Sequence, residues 1–85
     1  MASKKRGPIT VAEWPRNGRE RIRISLGQYH GRDVVSLRTW WKNEDGEERP
    51  GRDGITLDIH HVPKLAKAFK RAERRAKKVG LIDEA

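Results

Sequence analysis

Flat rings and fixed cations fall close together in one stretch of the sequence, Tyr29 to Leu57. Tyr29, His30 and Arg32 open it, Arg38, Trp40 and Trp41 stand in its middle, and Arg49 and Arg52 lie near its end. A ring can stack on the exposed π face of an unpaired base while a guanidinium neutralises the neighbouring phosphate, so this mixture suits single-stranded nucleic acid. Other chemistry is poorly served. Ser25 and Ser36 have no nucleophile elbow around them. His60 and His61 are adjacent, so they point apart on a helix, and His30 stands alone. The acidic run from Glu44 to Glu48 lacks calcium-loop spacing, and no phosphate loop or dinucleotide fingerprint is present. The expectation is a binding protein, not an enzyme, with no metal and no cofactor.

Strands must position these groups. Arg21–Leu26 alternates cleanly, with Ile22, Ile24 and Leu26 on one side and Arg21, Arg23 and Ser25 on the other. Gly27–Gly31 reads as a connection with Tyr29 near its tip. The β-branched and aromatic run Val34–Trp41 reads as the next strand. Strict alternation there groups Val35, Leu37 and Trp41 on one face, and Ser36, Arg38 and Trp40 on the other; a bulge would change which tryptophan joins Arg38. Ile9–Trp14 is a weaker strand closed by Pro15 and Asn17-Gly18, with Trp14 covering a core edge. Lys42–Asp53 reads as a long connector. Its acidic first half should point away from a phosphate groove, and its second half, Arg49-Pro50-Gly51-Arg52, has the composition of a tight turn. Ile55–Leu57 makes a short last strand. Asp58 is a natural helix cap, and regular helix is expected from about Pro63. Val62, Leu65, Ala66, Phe69, Ala72 and Ala76 form an apolar stripe, lysines and arginines fill the other faces, and Gly80 is the stop. The stripe is narrow and alanine-rich, which fits packing on a sheet or partner helix better than membrane insertion.

Bulk properties set the scale. The chain has 85 residues, a net charge of +8, 34% hydrophobic residues and no cysteine. One domain of this size has a marginal core, so self-association as a homodimer is expected. The positive charge favours an anionic partner, nucleic acid before membrane. No apolar run reaches the ~20 residues of a membrane span, and no secretory pattern follows the basic start, so an intracellular protein is expected, in the cytoplasm or nucleoid of a prokaryote or the nucleus of a eukaryote. Residues 1–8, with Lys4, Lys5 and Arg6, are expected to be a disordered basic tail, 9–80 the folded domain and 81–85 an acidic tail.

Tyr29-His30-Gly31-Arg32, Arg38-Thr39-Trp40-Trp41 and Arg49-Pro50-Gly51-Arg52-Asp53-Gly54-Ile55-Thr56-Leu57 together resemble the C-terminal domain family of the transcriptional coactivator p15, or positive cofactor 4. The likeness runs from about Ile9 to Ala76. It implies an α+β fold, a curved four-stranded antiparallel sheet followed by one C-terminal helix, in a two-fold dimer that binds single-stranded or melted DNA without strong sequence preference. It implies base stacking for Tyr29 and for Trp41, with Trp40 second, against the alternation. It implies phosphate contacts for His30, Arg32, Arg38 and Arg49, to which Arg23 and Arg52 are added from the charge pattern. Asp53 departs from a lysine of the family, and His30 replaces a permanent cation. An RNA-binding module and an adaptor for proteins of the transcription machinery are the alternative readings.

Overall fold

The computed structural model describes residues 7–83; the expectations for residues 1–6 and 84–85 lie outside the described residues. Four strands, β1 (Ile9–Pro15), β2 (Glu20–Tyr29), β3 (Arg32–Lys42) and β4 (Glu48–Asp58), form one antiparallel sheet in the order β1-β2-β3-β4. A single 3-10 turn (Ile59–His61) leads into α1 (Val62–Lys78).

Turn chemistry explains the meander. His30 and Gly31 have φ of 52° and 77° and join the facing pair Tyr29 and Arg32. Positive φ at both central positions marks the turn whose twist matches the flanking strands. The β2–β3 connection is therefore two residues, and the expected loop from Gly27 is strand instead. The other connections are held by asparagine side chains. Asn17 Oδ1 accepts from the amides of Arg19 (2.9 Å) and Glu20 (2.8 Å), and Asn43 Oδ1 from those of Asp45 (2.9 Å) and Glu47 (3.0 Å).

The expected long connector is mostly strand as well. It shrinks to Asn43–Glu47, and Arg49-Pro50-Gly51-Arg52 belongs to β4. Pro50 is tolerated because β4 is the edge of the sheet, where a missing N–H need not break a ladder. The breaker residues build a bulge: β3 advances from Arg38 to Trp40 while β4 takes the longer path from Gly54 to Pro50.

Asp58 caps the 3-10 turn, accepting from the His60 amide at 3.0 Å, and Pro63 sits in the first turn of α1, where its lost donor costs nothing. The helix ends at Gly80 (φ 83°), where Gly80 N–H donates to Lys77 O (3.2 Å) and Leu81 N–H to Ala76 O (2.7 Å). That pair of hydrogen bonds to the last turn is the Schellman arrangement.

The apolar sheet face gathers Trp14, Ile22, Ile24, Leu37 and Ile55, and Phe69 of α1 joins them around an open groove of about 470 Å³. Little of it is covered. Among the described residues Val35, 8% exposed, is the one buried hydrophobic side chain, while Phe69 is 60% exposed. The radius of gyration is 15.5 Å, against ~12 Å for a compact chain of this length. The helix stands off the sheet.

Candidate nucleic-acid interface

Because β2 and β3 pair in continuous register, their odd and even positions lock together. Arg21 faces Trp40, Arg23 faces Arg38, Ser25 faces Ser36 and Tyr29 faces Arg32. Tyr29, Arg32, Arg38, Arg23 and Trp40 thus share the polar face. Tyr29 stands at one end, 63% exposed, with the His30 ring edge-on at 4.2 Å. Trp40 lies toward the other end, eight β3 residues from Arg32, or about 27 Å along the strand.

Arg38 is the open cation of this face. It forms no ion pair among the described residues; its guanidinium donates to Gly51 O (3.4 Å) and Thr56 Oγ1 (3.3 Å). Gly54, directly across the ladder, leaves it room: a Cβ there would come within 2.9 Å of Arg38 Cβ and 2.8 Å of Cγ. The anchored Cβ cannot swing away. Gly54→Ala is therefore expected to push the Arg38 side chain off the strand and to cost about 1–3 kcal/mol in denaturant unfolding. Unchanged stability would show that the ladder absorbs the methyl.

Arg23 is differently placed. Only 14% exposed at its side chain, it pairs with Glu13 (2.7 Å) and Glu48 (2.7 Å), and its guanidinium lies 4.3 Å over the Trp40 ring. The hydrogen bond that Arg23 donates to Glu48 does most to raise its pKa above the ordinary arginine range, with the one to Glu13 adding to it. Glu13 in turn titrates below its ordinary 4.5, held first by the Arg23 hydrogen bond. Glu13 also accepts from Arg21 at 3.0 Å. The expectation that the acidic stretch points away from the cations is thus corrected at Glu48. This residue starts β4 instead of ending a loop, and a half-sequestered guanidinium needs a counter-charge there.

The two tryptophans straddle the end of the sheet. Trp41 lies on the face opposite Trp40, 41% exposed, and faces Glu20 and Arg49 across its two ladders. Yet Trp40 and Trp41 line one open groove of about 1020 Å³, with Arg19, Arg21 and Lys42 as its cations and Glu20, Glu44 and Glu48 as its acids. Strict alternation puts Trp40 beside Arg38, as the residues indicate, but both rings reach the groove. Arg19 was missed in the sequence because only the folding-back of the β1–β2 turn brings it to the tryptophans, whereas Lys42 directly follows Trp41 and was passed over as the start of the connector.

The remaining candidates are partly engaged. Arg32 pairs with Asp58 at 3.2 Å and Arg49 with Glu47 at 3.1 Å, both exposed. Exposed pairs of this kind contribute little and exchange readily. Arg52 sits in the β4 bulge, exposed and in no ion pair among the described residues. Its neighbour Asp53 pairs with Arg16 at 3.3 Å. Among the described residues, no three histidine, aspartate or glutamate side chains converge to hold a metal ion.

Solved structures share the fold. A PC4 homologue of Burkholderia pseudomallei K96243, BPSL1147, superposes with a TM-score of 0.70 at 29% identity, covering 85% of this chain and 97% of that one. The bacteriophage T5 homologue of the eukaryotic transcription coactivator PC4, implicated in recombination-dependent DNA replication, matches with a TM-score of 0.61 over 86% of this chain and 96% of its own; at 16% identity it supports the fold alone. The sequence family described as Transcriptional Coactivator p15 (PC4) matches residues 16–68. With more than half of its length matched, and with the sheet and helix of those relatives, the chain belongs to the Transcriptional Coactivator p15 (PC4) family.

Proposed function

We propose that the chain binds single-stranded DNA without sequence preference, as a homodimer, in transcription or DNA maintenance. The observation that carries this reading is the shared sheet end: two tryptophans on one open groove, with Arg38 in no ion pair among the described residues on the adjoining face and Tyr29 exposed beyond it. Arginines neutralise the backbone, and unpaired bases stack on the rings, each worth ~1–3 kcal/mol. Arg23 acts as a brace for Trp40, because its own donors already hold Glu13 and Glu48. His30, Arg32, Arg49 and Arg52 meet phosphates along the rim. The half-covered apolar face and Phe69 supply the dimer contact.

Titration of intrinsic tryptophan fluorescence tests this directly. Oligo-dT is expected to quench Trp40 and Trp41, with log Kd rising by about 0.7 per neutralised phosphate for each unit of log salt. Duplex DNA of equal length should leave the rings unquenched, since its bases are already stacked. Matched oligo-U competing as well as oligo-dT would move the assignment to RNA. Absence of quenching by either would end it. If Trp41→Ala with Arg38→Ala abolished oligonucleotide binding yet preserved function in cells, the adaptor role would replace it.

A further inference from the structure

The sheet uses rings and cations together, whereas α1 presents cations without rings. Its seventeen residues carry five lysines and three arginines against the single acid Glu73. At 3.6 residues per turn, Lys64, Lys67, Arg71, Arg74 and Lys78 fall in one line down the helix, away from Leu65, Phe69, Ala72 and Ala76. All five of these cations are exposed. Lys77, paired with Glu73 at 3.4 Å, is the one helix cation in an ion pair among the described residues.

The other side of the helix is already directed inward. Phe69 lines the apolar groove with Trp14, Ile22 and Leu37. The cationic line therefore points away from the sheet, and it is separate from the Arg38 and tryptophan surface. Between Lys64 and Lys78 it is about 21 Å long, with a cation roughly every turn. Duplex DNA offers about one phosphate charge per 1.7 Å of axis, so a straight row of cations always meets partners. The row contains no aromatic residue to stack an unpaired base and no apolar residue to enter a lipid layer, and phosphate contacts of this kind need no base to be read.

We propose that the outer face of α1 is a second nucleic-acid surface, which holds the backbone of duplex DNA while the sheet groove holds a single strand. A protein with two such surfaces suits the edge of a melted region, where paired and unpaired DNA adjoin.

The test uses the full chain and the triple variant Lys67→Gln, Arg71→Gln, Arg74→Gln. Glutamine keeps helix propensity close to that of the parent residues, and circular dichroism checks the helix. Anisotropy of a labelled duplex of about 20 base pairs is expected to report at least tenfold weaker binding at low salt. The log–log salt slope should become shallower by about 0.9 for each phosphate contact removed. Oligo-dT affinity, read by tryptophan quenching, should stay within twofold, and protein saturated with oligo-dT should still capture duplex. Unchanged duplex affinity overturns the proposal. So does an equal loss for both ligands, or displacement of duplex by stoichiometric oligo-dT, since either means one shared surface. Anionic vesicles of phosphatidylserine and phosphatidylcholine form a further arm: loss of vesicle binding with duplex binding intact would assign the face to membranes instead. If the parent chain binds no oligo-dT, the single-strand reading fails alone, and the duplex arm still decides the helix.

Discussion

Alanine at Trp41 is expected to weaken oligo-dT binding by about fivefold to a hundredfold, and alanine at Trp40 by less. Both numbers follow from the ~1–3 kcal/mol that a stacked base contributes. The ranking follows from what already touches each ring. Arg23 lies over Trp40 at 4.3 Å and already covers one of the ring's two faces. Trp41 is 41% exposed and has no such cover. Trp40→Ala should instead cost stability, because it removes the platform on which Arg23, Glu13 and Glu48 are assembled, leaving a guanidinium pinned by carboxylates over a void. Chemical denaturation and oligo-dT titration of the two single variants and the double variant separate these effects. The double variant should bind no better than the weaker single one. A larger binding loss at Trp40 than at Trp41 would make Trp40 the main stacking ring despite its Arg23 cover, and no loss at either would remove stacking from the mechanism.

This ranking also shows where sequence reading reached its limit. The alternation of Arg21–Leu26 fixed which residues share a face, and the pairing of β2 with β3 preserves it. The alternation of Val34–Trp41 placed Trp40 with Arg38, and the register puts both on one face. What alternation could not convey is that both faces meet at the end of the sheet, where the Asn17 turn folds against β3 and makes one groove from two sides. The resemblance pointed to Trp41 without giving that reason. The Pro50 and Gly51 cluster misled, because breaker residues in a sequence signal a turn. Here they signal an edge strand with a bulge: Pro50 needs no ladder partner for its nitrogen, and Gly51 admits Thr39, whose Oγ1 would lie 2.5 Å from a Cβ at that position. Likewise Glu48 looked like loop acid because its partner Arg23 lies 25 residues away in sequence. Charge pairing across three strands has no local signature.

The distribution of charge has a functional consequence within the proposed mechanism. Of the cations on the polar sheet face, Arg21 and Arg23 are held by Glu13, and Arg23 also by Glu48. The face therefore has fewer free cations than its arginine content suggests, and Arg38 becomes the main fixed point for phosphate. The excess positive charge of the chain resides largely on α1. Single-strand binding should accordingly depend on rings as much as on salt, while duplex binding should depend on salt almost entirely.

Phe69→Ala is expected to produce the largest stability change of any single substitution in the helix. In one protomer Phe69 is 60% exposed, and its removal there would matter little. In the proposed dimer it is covered, together with Trp14 and Ile55, which are 44% and 50% exposed in the single chain. Truncating a buried phenylalanine costs ~3–5 kcal/mol, and a two-fold dimer loses two of them, so the dimer should be weakened by orders of magnitude when this one side chain is removed. A protomer in which Val35 is the one buried apolar side chain among the described residues cannot offset its chain entropy by itself. Folding and dimerisation should therefore be one transition, with a melting temperature that rises with protein concentration. Sedimentation equilibrium of the parent chain should give twice 9.8 kDa, and Phe69→Ala should shift both the mass distribution toward monomer and the melting temperature downward at equal concentration. A parent chain that sediments as a 9.8 kDa monomer, melts at a concentration-independent temperature and tolerates Phe69→Ala would mean that the exposed apolar face is closed by α1 of the same chain, and that no second copy is needed to complete the fold.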